Sequence, residues 1–258
     1  MIVLIMAGGL GKRMESDLPK VLHKVIRNNN KNINEEKTLF YPMIVHVINT
    51  AIFLNPEKIF IIVGKYKDII KKTIDEYINL KIISNLTIIE YVMQKESLGT
   101  GHAILSSLDQ IKEYYDSNAI ILSGDVPLIS NETLMNLNDT ENKLLITELD
   151  NPYGCGRIIM DKDNKVINII EEKDCNEEEK NIKLVNCGIY QIKVIDLLNL
   201  IPQITNNNKG QEYYLTDLVP LMIKNNIIIK YYNLPKKNQR EITNINTKND
   251  LEIVNSLL

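Results

Sequence analysis

Six residues near the start of the chain have the chemistry to hold an anion. Gly8, Gly9 and Gly11 lack a Cβ, so their turn can take strained dihedrals and bring backbone N–H groups onto phosphate oxygens. Lys12 and Arg13 add full positive charge beside those amides, and Lys20 adds a third cation after Pro19, which restrains the chain just beyond the loop. Together they outline a phosphate cradle. Two better-known glycine loops do not fit. The P-loop requires Ser or Thr after Gly-Lys, where this chain has Arg13, and the dinucleotide fingerprint requires a third Gly or Ala where it has Met14. Taken alone, the same glycines would also serve a plain tight turn after a first strand.

The whole stretch from Ala7 to Val25, AGGLGKRMESDLPKVLHKV, resembles the signature of the sugar-phosphate nucleotidyltransferases, and within them the uridyltransferase domains of bacterial bifunctional uridyltransferase/acetyltransferases. The resemblance recurs along nearly the whole chain. It implies an α/β nucleotide-diphospho-sugar transferase (Rossmann-like) fold: a mixed, mostly parallel sheet flanked by helices, with a small antiparallel flap on the sugar side. It also implies that Ala7, Gly8, Gly9 and Gly11 contact the nucleotide, that Lys12 and Arg13 stabilise a pyrophosphate leaving group, and that Lys20 meets the reacting phosphates.

Seven further segments carry chemistry. QKESLGTGHAIL, Gln94–Leu105, places a side-chain amide before a glycine turn that opens a helix, where unpaired N–H donors can meet polar ligand groups. By resemblance Gln94, Gly99 and Thr100 recognise uracil and ribose; read alone, the segment is an ordinary capped helix, with His102 a satisfied histidine in its first turn. AIILSGDVPLIS, Ala119–Ser130, ends an apolar strand in Gly124 and Asp125, where a carboxylate points into the crevice that such sheets offer ligands. A strand-end Asp by itself more often caps or turns; the resemblance of the full Gly-Asp-Val-Pro-Leu string to the family's implies a metal-ligand role for Asp125. Ser123 departs from the aromatic residue that some relatives carry there.

NPYGCGRI, IIEEKD and LVNCGIY supply Gly156, Glu171 and Asn186, whose residue types suit a hexose and which match the family's sugar-binding positions. Cys155 and Cys187 stand where the bacterial enzymes commonly have Tyr and Thr. GQEYYLTDLVPL, Gly210–Leu221, resembles a segment ahead of a long helix that shapes the sugar pocket, its tyrosines being packing residues. EITNINTKNDL, Glu241–Leu251, aligns with the segment in which an Asn completes the metal site, which puts that role on Asn246, with Asn244 and Asn249 close by in sequence.

These residues need elements to position them. Ile2–Met6 reads as a strand buried on both faces. Lys58–Val63, Leu86–Tyr91 and Ala119–Leu122 read as further strands, with helices over Met43–Phe53, Tyr66–Tyr77 and Thr100–Ser107 between them. Later, Lys143–Glu148, Arg157–Asp161, Val166–Glu171 and Lys183–Gln191 read as strands, with a turn at Asp163 and Asn164. The expectation is one nucleotidyltransferase domain over residues 1–258, with a nucleotide-binding part, 1–130, and a sugar-binding part, 131–258. Residues 28–37 are Asn-rich and read as a surface insertion.

Composition narrows the partners. At 258 residues, 44% hydrophobic and 24% charged, the chain is long enough for a substantial core. A net charge of −3 offers no general electrostatic footprint for nucleic acid or an acidic membrane, and no apolar run is long enough to span a bilayer. Three cysteines fit neither a disulfide framework nor a zinc cluster, and suit a reducing, cytoplasmic setting. Hexapeptide repeats are lacking before Leu258, so no left-handed β-helix and no acetyltransferase activity is expected.

The reaction implied by the resemblance is in-line attack of N-acetylglucosamine-1-phosphate on the α-phosphorus of UTP, giving UDP-GlcNAc and pyrophosphate, with Mg²⁺ held by Asp125 and Asn246. The nucleophile is already anionic near neutral pH, so a general base is unnecessary. Two alternatives stay open: a different sugar-1-phosphate or dTTP as substrate, and an inactive nucleotide-sugar-binding regulator.

Overall fold

The computed structural model describes residues 1–26, 40–84 and 88–257. The Asn-rich stretch 28–37 and Leu86, expected as an insertion and as the start of a strand, lie outside them.

β1 (Ile2–Ala7) is a run of branched and apolar side chains, nearly all buried. Such a strand is stable only with both of its faces covered. After a short antiparallel pair, β2 (Lys24–Ile26) with β3 (Phe40–Pro42), the chain alternates α1 (Met43–Phe53), β4 (Lys58–Val63), α2 (Lys67–Asn79), β5 (Ile89–Met93), α3 (Thr100–Leu105), α4 (Leu108–Ile111), β6 (Asn118–Ser123) and α5 (Asn131–Leu137). There follow β7 (Lys143–Glu148), β8 (Arg157–Met160), β9 (Val166–Ile170), β10 (Leu184–Lys193), α6 (Val194–Leu200), α7 (Leu218–Lys224), β11 (Lys230–Asn233) and α8 (Lys248–Leu257).

Among the described residues nine strands form one sheet, whose main path runs β11-β7-β10-β6-β1-β4-β5. β6, β1, β4 and β5 pair in parallel, as do β7 and β11, while β10 is antiparallel to both β6 and β7. The β8–β9 hairpin, antiparallel and joined to β10, is the expected flap. The pairing strands of the first and second halves of the chain thus belong to the same sheet.

The two-residue period of a strand divides the core into two layers. Val3, Ile5, Ile59, Ile61, Ile120 and Leu122 face one side, under α1, α2 and α5; Ile2, Leu4, Phe60, Ile62, Ala119 and Ile121 face the other, under α3, α4, α6 and α7. Each of these side chains contributes roughly 1.5–3 kcal/mol by leaving water. A third, smaller cluster joins Val25 and Met43 to Ile245 and Val254, so the β2–β3 pair anchors the C-terminal helix.

Most expected boundaries hold within one or two residues, and two differ instructively. The helix expected over Thr100–Ser107 stops at Leu105 and restarts at Leu108, because the buried Ser107 hydroxyl donates to Ile104 O at 2.7 Å and competes with the helical ladder. The long helix expected beyond Gly210–Leu221 is instead a seven-residue helix, Leu218–Lys224, that starts inside that segment after a 3-10 turn at Leu215–Asp217.

Candidate active site

The chain order places the crevice. From β1 it moves outward to β4 and β5, then returns across β1 to β6, so the direction of winding reverses between β1 and β6. Open α/β sheets leave a crevice at the C-terminal ends of the strands at such a point. The glycine loop after β1 and Gly124-Asp125 after β6 meet there, and Gly124 N donates to Met6 O at 2.9 Å. A cleft of about 290 Å³ opens beside them, lined among others by Ala7, Gly8, Gly9, Lys20, Gln94, Gly99, Thr100 and Asp125. Eight of the sixteen residues singled out from sequence therefore share one cavity.

At its floor the Lys20 ammonium donates to Asp125 Oδ2 and, at 3.0 Å, to Asn246 Oδ1. Asp125 is 7% exposed. Arg13 Nη2 donates to the same Asn246 oxygen at 3.0 Å. Arg13 and Lys12 sit in an exposed 3-10 turn, Lys12–Met14, launched by Gly11 at φ +60°. A Cβ at Gly11 would stand 2.8 Å from Lys20 Cβ, so the loop and Lys20 pack too closely for any other residue.

Two devices place Asn246. Thr247 and Asp250 form a capping box at the start of α8: Asp250 N donates to Thr247 Oγ1 at 3.1 Å and Thr247 N donates to Asp250 Oδ2 at 2.8 Å. Asn246 N donates to the same carboxylate oxygen at 2.9 Å, and Ile245 N to Asp125 O at 3.1 Å. Burial works against the Asp250 charge, but these hydrogen bonds and the nearby Arg13 guanidinium hold its carboxyl below the usual range.

On the opposite wall Gln94 Nε2 donates to Gly99 O and faces His102 Nδ1, both at 3.2 Å. His102 is thus engaged within the wall, as a satisfied histidine should be. Gly99 has φ +120°, and a Cβ there would come within 2.5 Å of Tyr213 O. Thr100 Oγ1 accepts from Leu215 N at 3.0 Å, which locks the Gly210–Leu221 segment to the start of α3.

Gly156, Glu171 and Asn186 do not line this cleft; they form a second cluster. Asn186 N donates to Gly156 O at 2.9 Å, and Asn186 Nδ2 to the Tyr190 hydroxyl at 2.6 Å. The register of β10 against β7 shifts between Asn186 and Tyr190, an irregularity of the ladder beside Asn186. Glu171 Oε1 accepts from Thr216 Oγ1 at 2.9 Å. Burial raises the Glu171 pKa, offset in part by that hydrogen bond and reinforced by Asp217, Asp174 and Glu212. Thr216 follows Leu215, so a short path of contacts connects Glu171 to Thr100 and the cleft.

Sequence reasoning overlooked Ser97 and Glu212, which line the cleft, and Thr216, which holds Glu171. Glu212 and Thr216 lie within GQEYYLTDLVPL, where nothing in their spacing sets them apart from the neighbouring tyrosines. Ser123, noted only as a departure from relatives, donates through Oγ to Asp125 Oδ1 at 2.5 Å.

The residues suit a divalent cation. Asp125 Oδ2 and Asn246 Oδ1 converge on one positive group, the Lys20 ammonium, so both oxygens already face a common cation position. One carboxylate and one amide oxygen leave room for waters and substrate oxygens, as Mg²⁺ prefers. Among the described residues no group of three or more His, Cys, Asp or Glu could hold a metal by itself.

The chain is 46% identical over 264 residues to a protein of Acanthamoeba polyphaga mimivirus named "Probable UDP-N-acetylglucosamine pyrophosphorylase", covering 99% of this chain and 95% of that one. It is 36% identical over 259 residues to the bifunctional protein GlmU of Legionella pneumophila strain Lens, and there its match, 97% of this chain, spans 50% of the relative's length. A solved UDP-glucose pyrophosphorylase complexed with UDP-glucose superposes with a TM-score of 0.68 at 19% identity, covering 89% of each chain, and so shares the fold. Residues 2–238 match the nucleotidyl transferase family, and this chain belongs to it.

Proposed function

We propose that this nucleotidyltransferase joins UTP to N-acetylglucosamine-1-phosphate, forming UDP-N-acetylglucosamine and releasing pyrophosphate. The observation that carries the chemistry is the convergence of Lys20, Asp125, Asn246 and Arg13 where β1 and β6 end. The choice of substrates is supported by the name of the mimiviral relative.

In this reading the glycine loop receives the triphosphate against its backbone amides, with Lys12 and Arg13 stabilising the departing pyrophosphate. Lys20 neutralises charge on the phosphates that react. Gln94 and Thr100 hold the uracil and ribose, and Gly156, Glu171 and Asn186 the sugar. Mg²⁺ held by Asp125 and Asn246 neutralises charge on the phosphate oxygens when bound. A sugar-phosphate oxygen attacks the α-phosphorus, the bond to the β-phosphate bridging oxygen breaks, and no proton need be abstracted. The three free cysteines fit a reducing cytoplasm, and no helix among the described residues is long and apolar enough to cross a membrane.

The test is pyrophosphate release from UTP and N-acetylglucosamine-1-phosphate with and without Mg²⁺, beside glucose-1-phosphate and dTTP. Fast, Mg²⁺-dependent release favouring the first pair is expected, with loss on chelation by EDTA. Release only with another pair would keep the mechanism and change the substrate. No release with any pair, together with retained binding of UDP-sugar, would move the assignment to a nucleotide-sugar-binding regulator.

A further inference from the structure

β6 ends at Ser123, opposite Met6 of β1, and the ladder extends one step further through Gly124 N to Met6 O. The chain then turns: Val126 N donates to Ser123 O at 3.3 Å, a four-residue turn with Ser123 first and Asp125 third. The turn folds the Asp125 side chain back over Ser123, whose hydroxyl donates to Oδ1 at 2.5 Å. The other oxygen, Oδ2, faces the Lys20 ammonium. Each oxygen of the carboxylate therefore has its own partner, and the plane of the group is set from both sides.

From this we infer that Ser123 is a positioning residue, acting through Asp125 to present one carboxylate oxygen, Oδ2, at the cation position that it shares with Asn246. The inference rests on the assignment of Asp125 to the metal in the proposed function. Its physical basis is geometric. A carboxylate turns easily about its last bond, while Mg²⁺ demands near-octahedral coordination at short distance. A hydrogen bond to the oxygen that does not ligate removes that freedom before the cation arrives. Ser123 is well placed for this because its short hydroxyl lies one turn from the carboxylate and its backbone is held in the central sheet, whereas Asp125 itself has already left the strand.

The experiment compares the full chain with Ser123→Ala, Ser123→Thr and Asp125→Ala. Mn²⁺ binding, followed by loss of the free-ion electron paramagnetic resonance signal, is measured without nucleotide, and the Mg²⁺ dependence of pyrophosphate release is measured in parallel. Ser123→Ala is expected to weaken Mn²⁺ binding about ten-fold and to raise the half-saturating Mg²⁺ by a similar factor, with KM for both substrates little changed. Ser123→Thr, which keeps the hydroxyl, should restore both, and Asp125→Ala should abolish the Mn²⁺ site. Thermal unfolding establishes that each variant is folded; should the Ala variant not fold, Ser123→Cys, a far weaker donor, takes its place. Unchanged Mn²⁺ affinity in a folded Ser123→Ala variant would overturn the inference, as would Mn²⁺ binding insensitive to Asp125→Ala. Absence of turnover with any substrate pair would count against the proposed activity alone, because the Mn²⁺ measurement still reads the position of the carboxylate.

Discussion

The Lys20 ammonium meets the Asp125 carboxylate across 105 residues of sequence, at the meeting point of the loop after β1 and the turn after β6. The pair is largely shielded from solvent, with 15% and 10% of the two side chains exposed. Such a contact holds the two halves of the cleft together and keeps a cation beside two oxygens that would otherwise repel anionic substrates.

Lys20→Ala and Arg13→Ala should each lower turnover by roughly 10²–10³-fold, the usual consequence of removing one charge-stabilising donor from a transition state. Initial rates of pyrophosphate release at saturating substrates check this. Either variant near the wild-type rate would remove that residue from the machinery.

Gly99→Ala and Gly9→Ala should separate stability from activity. At Gly99 the backbone is at φ +120° and an added Cβ would lie 2.5 Å from Tyr213 O, so a loss of stability of about 1–3 kcal/mol or more is expected, seen as a lower Tm. At Gly9 nothing lies within 4 Å of an added Cβ, so stability should stay within about 0.5 kcal/mol of the wild type. The Gly9 methyl would nevertheless stand in the cleft, and turnover should fall. Chemical denaturation of both variants beside their rates makes the comparison.

Arg157→Ala should destabilise the chain by about 3–5 kcal/mol, because it empties the volume of a large buried side chain and leaves the partly exposed Glu172 carboxylate without its partner. Arg157 is 1% exposed; its Nη2 is 2.6 Å from Glu172 Oε2, and its Nη1 donates to Cys155 O. Replacing both partners, Arg157→Met with Glu172→Gln, should recover part of the loss. Urea unfolding of the single and double variants measures the difference; a double variant no more stable than Arg157→Ala would contradict this account.

Asp217→Asn should raise stability at neutral pH. Burial, with Asp174 nearby, pushes the Asp217 carboxyl up to about 6 from 3.8. A raised acid pKa means that the folded state binds more protons than the unfolded one between these values, so stability falls as pH rises from about 4 to about 6 and stays lowered above. The asparagine carries no such penalty. With allowance for solvent screening at a half-buried group, the gain at pH 7 is on the order of 1 kcal/mol, vanishing below about pH 4. Denaturation midpoints across this range give the answer, and identical pH profiles for the two proteins would refute it.

Elements whose pattern is local could be read without the structure. Helix α1 and strands β4 and β7 begin and end where periodicity and the buried run place them, because each residue's environment there follows from its near neighbours in sequence. The β2–β3 pair, three residues on each side, was too short to leave a pattern, though it anchors the helix behind Asn246. The register shift beside Asn186 was invisible too, since it arises from the pairing of β10 with β7, which is distant in sequence.

Residue types available for chemistry are legible along the chain: a glycine turn followed by two cations, a lysine after a proline, a carboxylate at a strand end and an amide before a glycine-opened helix. The alternation of strands and helices is legible there too, because two-residue and helical periods are properties of a single segment. Which of these groups meet depends on how the strands are ordered in the sheet. Asn244, Asn246 and Asn249 are alike in sequence, yet it is Asn246 whose Oδ1 receives both Lys20 and Arg13. That selection comes from the capping box at Thr247 and Asp250 and from Ile245 N on Asp125 O. Contacts spanning 226 and 233 residues depend on strand order and on the packing of α8 against β2, and no local pattern encodes them.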